Sequence, residues 1–186
     1  LWNGEPSGSN SYGRLTIFLS GSTDGTAPLR FLARSGSLET GLVNVLNGTP
    51  TTASVADGKW HHYALSIKNN SGTSTITSYL DSVKISSTGG GLDIQPVTGS
   101  LRARIGALIT SPSGSSAVAG AGKLSGSIDE FRYWKAERTE KEIQENYWTQ
   151  VRGGTNNEVA NAELGVYYKF NEGITGVSST DSTVLD

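Results

Sequence analysis

The feature that most constrains this chain is the regular alternation of short apolar segments with clusters of Gly, Ser, Asn and Thr. Segments with strand chemistry run over 14–19, 29–32, 42–46, 59–67, 75–85, 101–108, 126–134 and 164–171. The clusters that separate them include 6–10, 21–26, 69–74, 86–91 and 110–122. Short strands at this spacing, joined by turn residues, predict an all-β sandwich or barrel.

The alternation of side chains is clearest between Trp60 and Ile67. Tyr63, Leu65 and Ile67 fall on one face of the predicted strand, because successive side chains of a strand point to opposite faces. In a two-sheet sandwich we expect this bulky face to pack inward. Asp81-Ser82 stands between two apolar halves of the following segment, as the turn of a hairpin does.

One short helix is predicted near 140–148. Thr139 is a favourable N-cap and Glu142 follows three residues later, which completes a capping-box pattern. Ile143 and Tyr147 are four residues apart and can share one helix face against the sheets.

Composition excludes several classes of protein. The net charge is −2 and no basic stripe is present, so we expect no nucleic-acid partner. No apolar run approaches the roughly 18 residues of a membrane span, so we expect no membrane insertion. The absence of cysteine excludes disulfides, thiolate metal sites and cysteine nucleophiles.

Three motifs follow one another along the chain. Residues 57–66 place an Asp-Gly turn before a Trp-His-His strand, and 79–85 form a hairpin pattern around Asp81-Ser82. Residues 126–134 then contain Gly-Ser-Ile-Asp-Glu and lead into the predicted helix. Together they resemble the laminin-G-like jelly-roll domains of the concanavalin A-like lectin/glucanase superfamily, similar to those in phage structural and bacterial surface proteins. The family usually has Asp-Gly in the hairpin, where this chain has Ser82.

The resemblance implies a two-sheet antiparallel jelly-roll sandwich with one short helix. We expect residues 1–150 to form this laminin-G-like sandwich, with its N-terminal strand missing upstream. Residues 151–186 either supply a closing strand or begin a following module. Trp60, His62 and Asp129 are expected to be structural, with Asp129 orienting His61 or His62.

Sugar binding requires exposed aromatic rings and hydroxyl-matching polar groups. The candidate stacking rings, most of which are expected in the core, are Trp2, Tyr12, Trp60, Tyr133, Trp134 and Trp148. Tyr12, in a Gly/Ser/Asn-rich loop, is the preferred candidate for an exposed ring that stacks on a pyranose. Asn44 and Asn47 are further candidate ligand-binding residues.

No catalytic or metal site is predicted. A retaining glycosidase needs two carboxylates roughly 5–5.5 Å apart, and no Glu-x-Asp-x-x-Glu run occurs here. Asp129 and Glu130 are adjacent, so on a strand they would point to opposite faces. The pentraxin branch of the superfamily takes carboxylate ligands for calcium from the loop before the Gly-x-Ile strand. The matching loop of this chain, 107–122, contains no Asp or Glu. We therefore expect neither an enzyme nor a cofactor.

The sequence leaves several functions open. The first hypothesis is a non-catalytic glycan-binding or adhesion module of a larger virion or microbial surface protein. Its partners would be a glycan or cell-surface polysaccharide and other virion or surface chains, and its location the virion or the extracellular surface. The alternatives are a structural protein–protein module of a phage particle and, least favoured, a glucan hydrolase.

Overall fold

The computed structural model describes residues 1, 3, 12–19, 29–36, 38–39, 43–44, 56–89, 100–107, 122–124, 126–151 and 163–170. The chain divides into two compact units, Leu1–Leu124 and Ser125–Asp186. The expected domain limits at 1–150 and 151–186 stay a prediction.

The first sheet of the first unit is built on its second strand. The strands are β1 (Gly13–Leu19), β2 (Leu29–Ser35), β3 (Leu38–Glu39) and β4 (Val43–Asn44). β1 pairs antiparallel with the whole of β2, in the register Gly13 to Ser35. β3 and β4 also pair antiparallel with β2, each over two residues. Next to β1, Leu15 N donates to Leu1 O and Asn3 N donates to Gly13 O.

The second sheet is a meander of three antiparallel strands. Its strands are β5 (Tyr63–Asn69), β6 (Ser74–Leu80) and β7 (Val83–Gly89). The two connecting loops are short, because Ser71-Gly72 joins the first pair and Asp81-Ser82 joins the second. All four of these loop residues have positive φ. The predicted hairpin turn at Asp81-Ser82 is therefore confirmed, although Ser82 occupies a position that favours glycine.

The core of the first unit lies between the faces of these two sheets. Phe31 is fully buried and clusters with Leu29 and Ala33 of β2 and with Ile76 of β6. The partly buried side chains packed against this cluster are Leu15, Tyr63, Leu65, Ile67, Leu80 and Ile85. The predicted inward face of Tyr63, Leu65 and Ile67 is thus confirmed, and the described residues form the expected all-β, antiparallel architecture.

The second unit contains two paired strands and a helix. β8 (Phe131–Trp134) pairs antiparallel with β9 (Leu164–Tyr168), with Phe131 opposite Tyr168. Helix α1 spans Glu140–Asn146 and begins at the predicted capping box. Glu142 N donates to Thr139 Oγ1 at 3.3 Å, and Thr139 N donates to Glu142 Oε2 at 2.8 Å. Ile143 is buried and Tyr147 half-buried, as the predicted shared face requires.

Two strand predictions are wrong for the described residues. The segment 101–107 has irregular backbone with an isolated bridge at Arg102, and Leu101 and Ile105 are exposed. Apolar and polar residues alternate along this segment as they do in a strand. Because the apolar side chains are not buried against another element, their burial does not stabilise a strand here. The predicted strand over 126–134 begins only at Phe131, because Glu130 has a φ of 53°, which an extended strand does not allow.

Among the described residues, no helix is long and apolar enough to cross a membrane.

Candidate functional site

A tight turn before β5 begins the candidate site. Asp57 Oδ1 accepts a hydrogen bond from Lys59 N at 2.9 Å, so the side chain of Asp57 closes the turn on its own backbone. Gly58, between them, has a φ of 80°, which an L side chain rarely adopts. Lys59 Nζ lies 3.4 Å from Asp57 Oδ2, an exposed ion pair that adds little stability.

The imidazole of His61 lies between two carboxylates from different turns. Its Nδ1 is 2.8 Å from Asp81 Oδ2 in the β6–β7 turn, and its Nε2 is 3.1 Å from Asp57 Oδ1. A neutral imidazole has one N–H, whereas an imidazolium donates from both nitrogens. Because both partners are acceptors, this geometry favours the imidazolium. We call Asp57, Lys59, Trp60, His61 and Asp81 the His61 cluster.

Contacts within and beside the cluster shift the pKa values of His61, Asp57 and Tyr63. The hydrogen bond with Asp81, and then the one with Asp57, raise the pKa of His61 above its ordinary value. The pKa of Asp57 is lowered, first by the hydrogen bond from Lys59 N and then by His61. Burial, with the charges of Asp81 and Asp57, raises the pKa of the Tyr63 phenol. The cluster is therefore an ionic network around pH 5–6, where both the carboxylate of Asp57 and the imidazolium of His61 are charged.

Asp81 connects the cluster to the sheet. Its Oδ1 accepts from His62 N at 2.8 Å, and its own N donates to His62 O at 2.9 Å. The ring of His61 also meets that of Tyr63 edge-on, with centroids 6.4 Å apart. Since Tyr63 packs against the core, the turn before β5 is held at both the hairpin and the core.

The turn presents the indole of Trp60 to solvent. Trp60 is 60% exposed although it directly precedes His61, whose side chain is 14% exposed. Trp60 is expected from the sequence to be structural, and the structure places most of its surface in solvent on this ordered turn. A large exposed ring on a fixed backbone is the type of surface on which the flat C–H face of a sugar stacks.

Of the predicted ligand residues, Tyr12 lies in the interior of the first unit. Its exposed fraction is 1%, and the guanidinium of Arg34 lies 5.7 Å from its ring centroid. The ring is therefore not available as a stacking platform, and that prediction is wrong. The backbone of Asn44 pairs with Arg30, while its side chain and the whole of Asn47 lie outside the described residues.

The expected partner of the histidines is also different. Asp129 is exposed, and its Oδ1 accepts from Glu130 N at 2.9 Å. The sequence predicts that Asp129 orients a histidine ring. In the structure, Asp57 and Asp81 hydrogen-bond to the ring of His61 and orient it instead. His62 is half-buried, and its backbone joins β5 to the Asp81 turn. Sequence reasoning missed this network, although Asp57 lies in the turn of the motif that contains the histidines and Asp81 lies in the turn of the next motif.

The His61 cluster combines an exposed aromatic ring with charged groups. A glycosidase acid needs a raised pKa, whereas the pKa of Asp57 is lowered. Across the part of the chain that the structure describes, no group of acidic and histidine side chains could hold a metal ion. What the cluster offers is a stacking surface, an exposed ammonium and carboxylate oxygens that retain lone pairs.

Comparison with known proteins supports the family indicated by the motifs. A laminin-G family model, described as Concanavalin A-like lectin/glucanases superfamily, matches residues 5–144. The match includes the complete His61 cluster and reaches into α1. Neither the curated proteins nor the solved structures gave a significant match to the chain.

Proposed function

The chain belongs to the concanavalin A-like lectin/glucanases superfamily, and from this premise we propose that it is a non-catalytic glycan-binding or adhesion module. The module would act within a larger virion or microbial surface protein and bind a cell-surface polysaccharide. The single observation that carries the proposal is the exposed indole of Trp60 on a turn fixed by the His61 cluster.

The fixed turn favours binding because it lowers the cost of ordering the site. A tryptophan has few rotatable bonds, and the backbone around Trp60 is already held by Asp57 and, through His61, by Asp81. Association therefore restricts few further degrees of freedom. The ring supplies contact area, while Lys59 and the carboxylate of Asp57 can exchange hydrogen bonds with hydroxyl groups.

The decisive substitution is Trp60→Ala. Loss of the stacking surface is expected to weaken glycan binding by roughly 10–30-fold, equivalent to about 1.4–2 kcal/mol. Trp60→Phe should retain most of the affinity, because it keeps an aromatic face. Val83→Ala is the matched control, since Val83 is a similarly exposed apolar residue, 59% exposed, beside the Asp81-Ser82 turn.

Binding is measured by glycan array and then by calorimetry with the best soluble polysaccharide. Wild-type protein that binds no glycan at millimolar ligand would sink the proposal, as would equal affinities for the wild type and Trp60→Ala. Release of reducing sugar from β-glucan would contradict the non-catalytic assignment and favour a glucan hydrolase. Binding only to copies of neighbouring virion or surface proteins would favour the structural module instead.

A further inference from the structure

The turn that follows α1 in the second unit carries another exposed indole. Trp148 is 68% exposed, while its neighbour Tyr147 is half-buried. The two rings are in contact, with centroids 5.1 Å apart and planes inclined at 48°. Contact with Tyr147 thus leaves most of the Trp148 surface in solvent.

The backbone on both sides of Trp148 is held by one side chain. Arg132 Nη1 donates to Asn146 O at 3.1 Å, and Arg132 Nη2 donates to Thr149 O. Thr149 also closes the turn itself, because its N and Oγ1 donate to Asn146 O at 3.3 and 3.1 Å. The guanidinium thus bridges the carbonyl of the last helical residue and a carbonyl of the following turn, and it fixes the position from which Trp148 projects.

The guanidinium of Arg132 is itself fixed and neutralised. Glu130 Oε2 lies 3.0 Å from Nη2, and the ring of Tyr167 lies 5.4 Å from the guanidinium carbon. Tyr167 donates its hydroxyl hydrogen to the same Glu130 oxygen. The charges of Arg132 and Glu130 behind the turn therefore neutralise each other. Of the exposed charges of α1, Lys141 and Glu145 pair at 3.8 Å.

We propose that Trp148 is a second glycan-stacking site, which takes an uncharged hexopyranose residue. The proposal rests on the proposed function, and it adds a site in the other unit of the chain. An indole held on a fixed turn gives contact area at low entropic cost, as at Trp60. Helix α1, which leads into this turn, carries three glutamates and one lysine, so an anionic sugar is disfavoured and the ligand is a neutral one that presents a flat C–H face.

The first test counts the sites. Neutral hexasaccharides of β-glucan, galactan and mannan are titrated into the 186-residue chain by calorimetry. Two molecules of the best hexasaccharide should bind per wild-type chain. Trp60→Ala and Trp148→Ala should each leave one site, and the double variant should bind at least about tenfold more weakly at both. Gln144→Ala is the matched control, at an exposed and uncharged position of α1, and should leave both sites unchanged.

The second test separates stacking from folding. Trp148→Phe should keep the second site with a smaller loss, and the circular dichroism of both Trp148 variants should match that of the wild type. Arg132→Gln should weaken the second site while Trp60 still binds, because the turn loses its anchor.

Different results overturn different claims. One site per chain, with Trp148→Ala binding as the wild type does, overturns the second site and leaves the proposed function standing. No binding of any hexasaccharide or array glycan overturns both. Strong preference of the Trp148 site for uronic acid oligosaccharides, or self-association of the wild type that Trp148→Ala abolishes, also overturns the inference.

Discussion

At the scale of single residues, His61 is the side chain that links two separate turns. Both of its ring nitrogens face carboxylates, Asp81 on one side and Asp57 on the other. The folded state therefore binds a proton on this ring more tightly than the unfolded chain does, which is why the pKa of His61 is raised.

The proton on His61 makes stability depend on pH. Because the pKa is raised in the folded state, the contribution of His61 is fully present below about pH 6.5, the unfolded value, and is lost as the pH rises through the folded value. His61→Gln should lower the free energy of unfolding by about 1 kcal/mol at pH 5.5, since the site is partly solvated, and by less at pH 8.5.

Urea unfolding of the wild type and His61→Gln at pH 5.5, 7 and 8.5 measures this difference. Comparing the two proteins at each pH cancels most effects of the other titrating groups. A difference that stays constant from pH 5.5 to 8.5 would show that the pKa of His61 is the same in the folded and unfolded protein, and a difference that grows with pH would show a lowered folded pKa; either result contradicts the inference.

Single-residue exposure was the least predictable property of the site. Trp60 belongs to a motif expected to pack, yet it is exposed, and Tyr12 belongs to a polar loop region, yet it is buried against Arg34. Both outcomes depend on which distant segment covers a ring, and local composition carries no such information. The acidic partners of His61 were equally hidden, because Asp81 is twenty residues away along the chain.

At the scale of elements, the second sheet depends on two turns whose central residues all have a left-handed backbone conformation, with positive φ. Ser71 and Gly72 have φ values of 45° and 98°, and Asp81 and Ser82 have 49° and 70°. Two-residue hairpins of type I′ need positive φ at both positions, because that twist matches the strands. The first turn has glycine at its second position, whereas the second turn holds a serine there.

Replacing Ser82 by glycine should stabilise the protein. A side chain in the left-handed region costs roughly 1 kcal/mol, which glycine avoids, so Ser82→Gly should raise the free energy of unfolding by about 0.5–1 kcal/mol. Ser87→Gly in β7 is the control and should destabilise, because glycine weakens an extended strand. Urea unfolding at pH 7 measures both. Equal losses of stability at the two positions would contradict a left-handed backbone at Ser82.

A strand, turn or helix was predicted correctly where its sequence pattern coincided with a buried face or a hydrogen-bonded neighbour in the structure. β1, β2, the β6–β7 hairpin and the capping box of α1 combine a local signal with a buried face or a bonded neighbour. Residues 101–107 alternate just as regularly, but Leu101 and Ile105 are exposed there. Periodicity shows which face a strand could bury, and only the tertiary structure supplies a surface to cover it.

At the scale of the whole chain, the first unit holds the packing that defines the fold. Phe31 of β2 and Ile76 of β6 belong to different sheets but to the same buried cluster. The core face of β5 adds Leu65 and Ile67 to it. The family match covers all of these strands. The sandwich was therefore predictable from the sequence. The alternation of side chains indicates which face of each strand is buried, and the three motifs indicate a family whose strands form two layers.

Phe31 should be the residue on which this layered packing depends most. Its side chain is 0% exposed, so Phe31→Ala removes a ring that neighbouring groups cannot fully replace and should cost about 3–5 kcal/mol. Ile17→Ala in the adjacent β1 removes a side chain that is 46% exposed and should cost less than about 1 kcal/mol. Urea unfolding at pH 5.5 compares the two variants. If Phe31→Ala lowered the free energy of unfolding no more than Ile17→Ala does, the two sheets would not share a core. The turn that carries Trp60 would then lack the support that we infer from the packing of Tyr63 against that core.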